Sequence, residues 1–213
     1  MAEVSKAEAG VPSLRQRQRA RRRAEIIAAG KALIFDQGYA ATSMEAIAER
    51  AEVGVATVYN YFGSKGGLFA DILRPDFDVL YRRGGDLLAE PPENPVTGVI
   101  ALIEIYRKLQ KNWERKDALL AVIGPGLSAE PVLDELAAYA ETKVKAQIES
   151  LISFYQQENI VRPLINVTDA ATIIFFIFNQ HFIEYITHAD ASYDKMKQEM
   201  DRQISFIVSA LLN

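Results

Sequence analysis

The sequence predicts an all-α fold of about nine helices: an N-terminal three-helix domain carrying a helix-turn-helix, then a larger C-terminal helical domain. Three observations predict it. Apolar residues recur at intervals of three and four along most of the chain, and no long alternating run of the kind a half-buried strand needs appears. Between Thr42 and Lys65, two short helical patterns flank the break Glu52-Val53-Gly54 and lead straight into a third. Near the C-terminus, Ile173-Ile174-Phe175-Phe176-Ile177-Phe178 is apolar on every side, so a helix there needs cover on every side.

Composition narrows the class. With 213 residues, 49% of them hydrophobic, the chain can bury a real core as one large or two small domains. It has no cysteine, which removes disulfides and thiolate metal sites. No run approaches the roughly 18 apolar residues needed to cross a bilayer, and the start MAEVSKAEAG lacks a signal-peptide core. A cytoplasmic protein with no membrane partner is expected. The net charge of −4 is uneven: residues 1–67 hold ten Lys and Arg against seven acids, and the remainder fourteen against twenty-one. A basic head on an acidic body suits a nucleic-acid partner for the head.

In chain order, residues 1–13 form a small-residue tail expected to be disordered. Arg15, Arg17, Arg19, Arg21, Arg22 and Arg23 follow with no acid among them, placed to meet phosphates or a minor groove rather than to form a merely solvated run. The first helix carries Ile26, Ile27, Leu33, Ile34 and Phe35, and Gly38 ends it. Thr42 is a candidate cap for the next helix, with Glu45 completing a capping box and Ile47, Ala48 and Ala51 on its apolar face. After the turn at Gly54, Val55, Val58 and Phe62 share the inward face of a helix over 55–62. Thr57, Asn60 and Tyr61 are left outward with Tyr59 beside them, a face of hydroxyls and an amide without an acid. Such a face suits phosphates and base edges.

The residues GYAATSMEAIAERAEVGVATVYNYFGSKGGLF resemble the DNA-binding domain of the TetR family of transcription regulators. Gly38-Tyr39, Thr42, Ile47-Ala48, Thr57, Tyr59-x-Tyr61-Phe62 and Ser64-Lys65 stand at that family's spacing, over about a quarter of the chain. Two departures matter. Gly54 replaces a frequent capping serine, and Gly66 replaces a frequent acid after the Ser-Lys pair. The resemblance implies that the 55–62 helix enters the major groove, with Thr42, Tyr59 and Lys65 on phosphates and Thr57, Asn60, Val55 and Tyr61 at base edges. The DNA-binding set it suggests is Arg21, Arg22, Thr42, Ser43, Val55, Ala56, Thr57, Tyr59, Asn60, Tyr61 and Lys65.

A helix-turn-helix domain over 14–65 is thus expected, with an effector-binding and dimerisation domain over 66–213. Ser64 caps a connecting helix that Pro75 should kink or end, leaving a second piece to about Leu88. Pro91-Pro92-Glu93-Asn94-Pro95 is a loop, followed by helices over about 96–113, 117–123 and, opening on Pro131, 131–158. Thr168 is the expected cap of the greasy helix, and the last helix is amphipathic over about 192–212.

The second domain gathers Tyr106, Leu109, Trp113, Tyr139, Phe154, Phe178, Asn179, His181 and Phe182, the make-up of a mostly apolar pocket with a few polar tips. Any one of them taken alone is ordinary core. The set favours a small apolar or aromatic effector over a multiply charged anion. The all-apolar helix centre calls for a second subunit, and the resemblance implies a homodimer joined as a four-helix bundle, with Ile173, Ile177, Glu184, Ile204, Ile207 and Leu211 at the interface.

His181, Glu184 and His188 share a face, yet no phosphate loop, nucleophile elbow or triad accompanies them, so no catalytic residue, metal or cofactor is expected. The favoured function is a ligand-responsive transcription regulator, with repression the preferred direction, binding a near-palindromic double-stranded operator and released by its effector. The alternatives are a helical enzyme, or a protein-binding adaptor that would leave the arginine run unexplained.

Overall fold

The computed structural model describes residues 13–112, 116–123 and 130–213, and within them the side chains of all but residues 109–112, 117, 122 and 123. Nine α-helices and no strand are found among the described residues: α1 Leu14–Gln37, α2 Met44–Arg50, α3 Val55–Phe62, α4 Lys65–Ala89, α5 Pro95–Asn112, α6 Lys116–Ile123, α7 Pro131–Gln157, α8 Val167–Thr187 and α9 Tyr193–Leu211. No described helix is long and apolar enough to cross a membrane.

Helices α1 to α3 close around Ile26, Ile34, Met44, Ile47, Val58 and Phe62. The first half of α4 completes that core with Leu68, Phe69, Ile72 and Leu73, while its second half packs on α5 and α7. Behind it, α7 lies against α8, α8 against α9, and α9 against α5. The residues shared by the two cores therefore sit on one continuous α4, which couples them mechanically.

The sequence expected Pro75 to kink or end that helix, and α4 runs through it without ending. Proline lacks the N–H that would bond the carbonyl of Asp71, and its ring crowds that carbonyl. Here Pro75 lies on the exposed side, where water can serve the freed group, while Ile72, Leu73 and Leu80 anchor the turns on either side. Two other expectations shift by a residue or two. Ser43 rather than Thr42 caps α2, its Oγ accepting from the Ala46 N–H at 3.1 Å. Asn166 rather than Thr168 caps α8, and the Thr168 hydroxyl instead donates to Glu149 at 2.7 Å.

The two halves of the second domain are tied by polar knots that cross long stretches of sequence. Tyr106 donates to the Gln147 side-chain oxygen, and Gln147 donates to the Tyr81 carbonyl of α4 at 2.9 Å. Gly84 makes room for this knot, since a Cβ there would stand 1.9 Å from the Gln147 oxygen. Arg107, fully buried, pairs with Asp201 of α9 at 2.6 Å and with Glu104 one turn back.

Candidate nucleic-acid interface

The arginine run forms the first turns of α1 itself. Ser13 caps it, accepting from the Gln16 N–H at 3.2 Å, while the Gln16 side chain accepts from the Ser13 N–H at 2.7 Å. The first buried residue is Ile26, so α1 reaches about three turns beyond its core. Arg15, Arg19 and Arg22 then fall on one face. With Ser13, Gln16 and Gln18 they form one wall of an open cleft of about 960 Å³, whose other wall is Glu52, Val53, Gly54, Thr57, Asn60 and Tyr61.

The turn between α2 and α3 is closed by Val53 N–H donating to the Ala48 carbonyl at 2.9 Å, with Glu52 held at φ 54. Gly54, in place of a capping serine, offers α3 no side-chain cap, so only its carbonyl serves, accepting from Thr57 N–H at 2.8 Å. Gly63, at φ 73, lets the chain leave α3 in the left-handed region. On α3, Val58 and Phe62 face the core, Ala56, Tyr59 and Asn60 are exposed, and Val55, Thr57 and Tyr61 are half-buried. Tyr61 leans toward α1: the Arg19 guanidinium lies 5.8 Å from its ring centre.

Two residues expected to hold phosphates do something else. Thr42 is 2% exposed, and its hydroxyl donates to the Gly38 carbonyl at 2.7 Å, so it is not available to DNA. Lys65 donates to the carbonyls of Tyr39 at 2.9 Å and Thr42 at 3.0 Å, with its ammonium 4.3 Å from the Tyr39 ring centre. It braces the start of α4 against the loop before α2. Burial lowers its pKa, against the Glu130 carboxylate, which acts to raise it. The same burial, and then Glu130, push the Tyr39 phenol up to about 12. Spacing does not reveal these contacts, because it fixes positions and not which backbone carbonyls a side chain finds.

Glu130 also answers the departure at Gly66. Ser64 caps α4, accepting from the Gly67 N–H at 3.1 Å, and donates to Glu130 at 2.7 Å. A Cβ on Gly66 would stand 2.7 Å from the Glu130 carboxylate. The acid missing from the first turn of α4 is thus supplied from the start of α7, where it faces the positive end of the helix dipole. Of the arginines in the DNA-binding set, Arg22 lines the cleft and Arg21 does not; Glu25 lies 3.4 Å from Arg21 and 3.8 Å from Arg22. Arg15 and Arg19, named in the run but left out of the DNA-binding set, line the cleft as well. The signal was present in their spacing once the run is read as helix.

In the second domain, Tyr106, Phe178, His181 and Phe182 are buried and Asn179 is half-buried. Phe178 and Phe182 stack with ring centres 6.4 Å apart. His181 stands 3.8 Å from Glu184, and no group of His, Cys, Asp or Glu among the described residues could hold a metal. Tyr139 and Phe154 do not join this group: both are exposed on the outer side of α7, where Lys143 lies over Tyr139. Leu109's side chain and Trp113 lie outside the described residues.

The interface set divides as well. Ile173 is 48% exposed, Ile177, Ile207 and Leu211 are half-buried, and Glu184 is exposed. Ile204 is 0% exposed inside its own subunit and belongs to the core, in the buried line of α9 with Met196, Met200 and Val208. Phe176 at 58% and Phe206 at 72% were missed and extend the bare apolar face.

Residues 26–72 match the family described as bacterial regulatory proteins, tetR family. The HTH-type transcriptional repressor KstR of Rhodococcus jostii strain RHA1 is 36% identical over 110 residues, 51% of this chain; the match spans only about half, 50%, of that repressor's length. Among solved structures, a TetR-family transcriptional repressor, Thermus thermophilus FadR in complex with lauroyl-CoA, superposes with a TM-score of 0.68 at 19% identity, covering 90% of this chain and 95% of that one. A TetR transcription regulator from Haloarcula marismortui gives 0.70 at 18% identity, covering 91% and 100%.

Proposed function

We propose that the chain, whose residues 26–72 match the tetR family of bacterial regulatory proteins and which has the fold of solved structures described as members of it, is a ligand-responsive transcription regulator. It acts as a repressor, binds a near-palindromic operator as a homodimer, and leaves the DNA when a small, mostly apolar effector binds. The observation that carries this reading is the open face of α3, Ala56, Thr57, Tyr59 and Asn60, standing beside an arginine-lined cleft. In the major groove that face meets base edges through Val55, Ala56, Thr57 and Asn60, while Tyr59, Ser43 and the arginines meet phosphates. Phosphate contacts set the register and base contacts the sequence.

The bare stripe of Ile173, Phe176 and Ile177 on α8, with Phe206, Ile207 and Leu211 on α9, supports a dimer, since a monomer gains nothing by presenting it to water. Glu184 stands at its rim. The buried aromatics Phe178 and Phe182, with His181 and Asn179 as polar tips, support an apolar effector or effector segment; the lauroyl chain of the lauroyl-CoA held by the Thermus protein is such a segment, although its CoA part is multiply charged. The tie from Glu130 to Ser64 gives a route by which the effector domain can pull on the head. The relatives matched are regulators, and nothing in this scheme calls for catalysis or a cofactor. Work on operator DNA places the protein in the cytoplasm.

Selection from a pool of random duplexes tests the reading. The purified protein should enrich one sequence with two-fold symmetry and half-sites about one helical turn apart. Enrichment of no sequence at moderate salt would overturn it.

A further inference from the structure

We propose that a groove on the outer side of the second domain, between the second half of α4 and the middle of α7, binds an amphipathic carboxylate such as a medium-chain fatty acid. This goes beyond the regulator reading and does not depend on it. Tyr81, Gly85 and Leu88 stand at i, i+4 and i+7 on one flank of α4, and Ala146, Gln147 and Ser150 face them from α7, bordering about 800 Å³. Two glycines follow each other inside α4, where each weakens the helix. Gly84 has a packing reason, since a Cβ there would stand 1.9 Å from the Gln147 oxygen. Gly85 has none: its φ is not positive, and among the described residues a Cβ there would meet only the Gln147 amide nitrogen, at 4.0 Å. What its missing side chain leaves is room in the groove.

One end of the groove is charged. Arg82 and Arg83 are in its lining, and neither makes an ion pair among the described residues. Arg82 spends its Nε on the Asp78 carbonyl at 3.4 Å, which leaves both terminal nitrogens to a ligand. A planar guanidinium takes a carboxylate through two parallel N–H bonds. Asp86 is the single acid in that lining, so the groove keeps a positive balance and selects an anion over an amine. Lys143, 4.9 Å from the Tyr81 ring centre, adds to the field at this end. The other end is apolar. Ala146 and Ser150 also border a second hollow, of about 530 Å³, that reaches Phe154, 36% exposed. The acid of that hollow, Glu149, is engaged with α8, accepting from the Thr168 hydroxyl at 2.7 Å. An acyl chain laid over Gly85, Leu88 and Ala146 reaches Phe154 and takes its ring out of water. The floor is Gln147, 4% exposed and bonded to Tyr106 and Tyr81, so the ligand rests on the knot that ties α4 to α5 and α7. Among the described residues none from α8 lines the groove, which sets it apart from the aromatic site of Phe178 and Phe182.

Calorimetric titration of the full chain with decanoate, and with the uncharged decanamide, tests the site. Wild type should bind decanoate about tenfold more tightly than the amide. R82Q/R83Q should erase that difference. R74Q/K108Q, which removes two exposed charges outside the groove, should keep it. Both pairs introduce a good helix former. G85L fills the trough and should weaken both ligands while its helical signal is kept or raised; should it fail to fold, the arginine pair decides alone. D86N should tighten decanoate. Decanoate affinity unchanged in R82Q/R83Q, equal losses in the two pairs, or no binding by wild type would overturn the inference, and none of these touches operator selection. A changed mass for G85L in light scattering, with decanoate affinity as in wild type, would make this face a contact between copies and overturn it as well.

Discussion

The reading head and the body behind it differ in how far apart in sequence their partners lie. In the head, Thr42 bonds four residues back and Lys65 reaches twenty-six. In the body, Gln147 spans sixty-six residues to Tyr81 and Arg107 ninety-four to Asp201. A local motif can be recognised in one stretch of chain, whereas a site assembled from helices a hundred residues apart leaves only a loose set of candidates. The head also presents a polar face to solvent, while the body presents the apolar side chains of Ile173, Phe176 and Phe206.

The largest effect should come from that apolar surface. Phe176→Glu puts a carboxylate on a site already exposed in the single subunit, so the fold should survive. Across a dimer seam it leaves an unpaired ion in a dry interface, at a cost of about 3–5 kcal/mol. Light scattering should find folded monomers at micromolar concentration, and operator binding should fall at least a hundredfold because two heads are needed for two half-sites. Ile204→Asp, aimed at the subunit's own core, should instead lose helical signal. A Phe176→Glu protein that stayed dimeric would move the interface elsewhere.

That contrast shows what was legible beforehand. The helix count, the α3 face and the greasy centre of α8 follow from period and composition, because burial imposes those patterns on the sequence itself. Ile204 was misassigned since period marks a residue as apolar but not which of two apolar neighbours it meets. Thr42 gives its hydroxyl and Lys65 two of its donors to backbone carbonyls, which any sequence supplies, so spacing does not announce these contacts. The run named six arginines together, and only its helical register separates Arg15, Arg19 and Arg22, which line the cleft, from the others. Tyr139 and Phe154 failed as pocket residues because an aromatic can lie on an outer surface under a lysine, as Tyr139 does beneath Lys143.

A smaller effect tests the tie between the two regions. Glu130→Ala removes the acceptor of the Ser64 hydroxyl and the negative charge at the start of α4. The loss should be about 1–2 kcal/mol, the range of a charged hydrogen bond and a helix-dipole contact together. Hydrogen exchange should accelerate at the Gly67 and Leu68 amides while α9 keeps its protection. Glu130→Gln should retain about half the effect, because it keeps an acceptor and loses the charge. Unchanged exchange at α4 in Glu130→Ala would mean that the head does not depend on the body for its first turn.

The smallest effect concerns alkaline pH and separates the two regions by sign. In the body, burial raises the phenols of Tyr106, Tyr155 and Tyr193 above their usual 10.0. In the head, Tyr39 is raised to about 12, but neighbouring Lys65 is lowered from 10.5. A raised phenol means that the unfolded chain gives up its proton first, so its stabilisation is complete below pH 10 and is lost as pH climbs toward 12. A lowered lysine acts the other way: the unfolded chain binds the extra proton, and stability rises as pH approaches 10.5. The head is therefore partly self-compensating and the body is not. Tyr39→Phe removes the head's losing member and keeps the ring under Lys65. Because the Tyr39 hydroxyl is buried without a partner, the variant should be as stable as wild type at pH 7, or slightly more so. Between pH 10 and 12 its urea midpoint, read at fixed protein concentration, should fall less steeply than that of wild type. Parallel curves over that range would show that the Tyr39 phenol ionises in the folded head as it does in the unfolded chain.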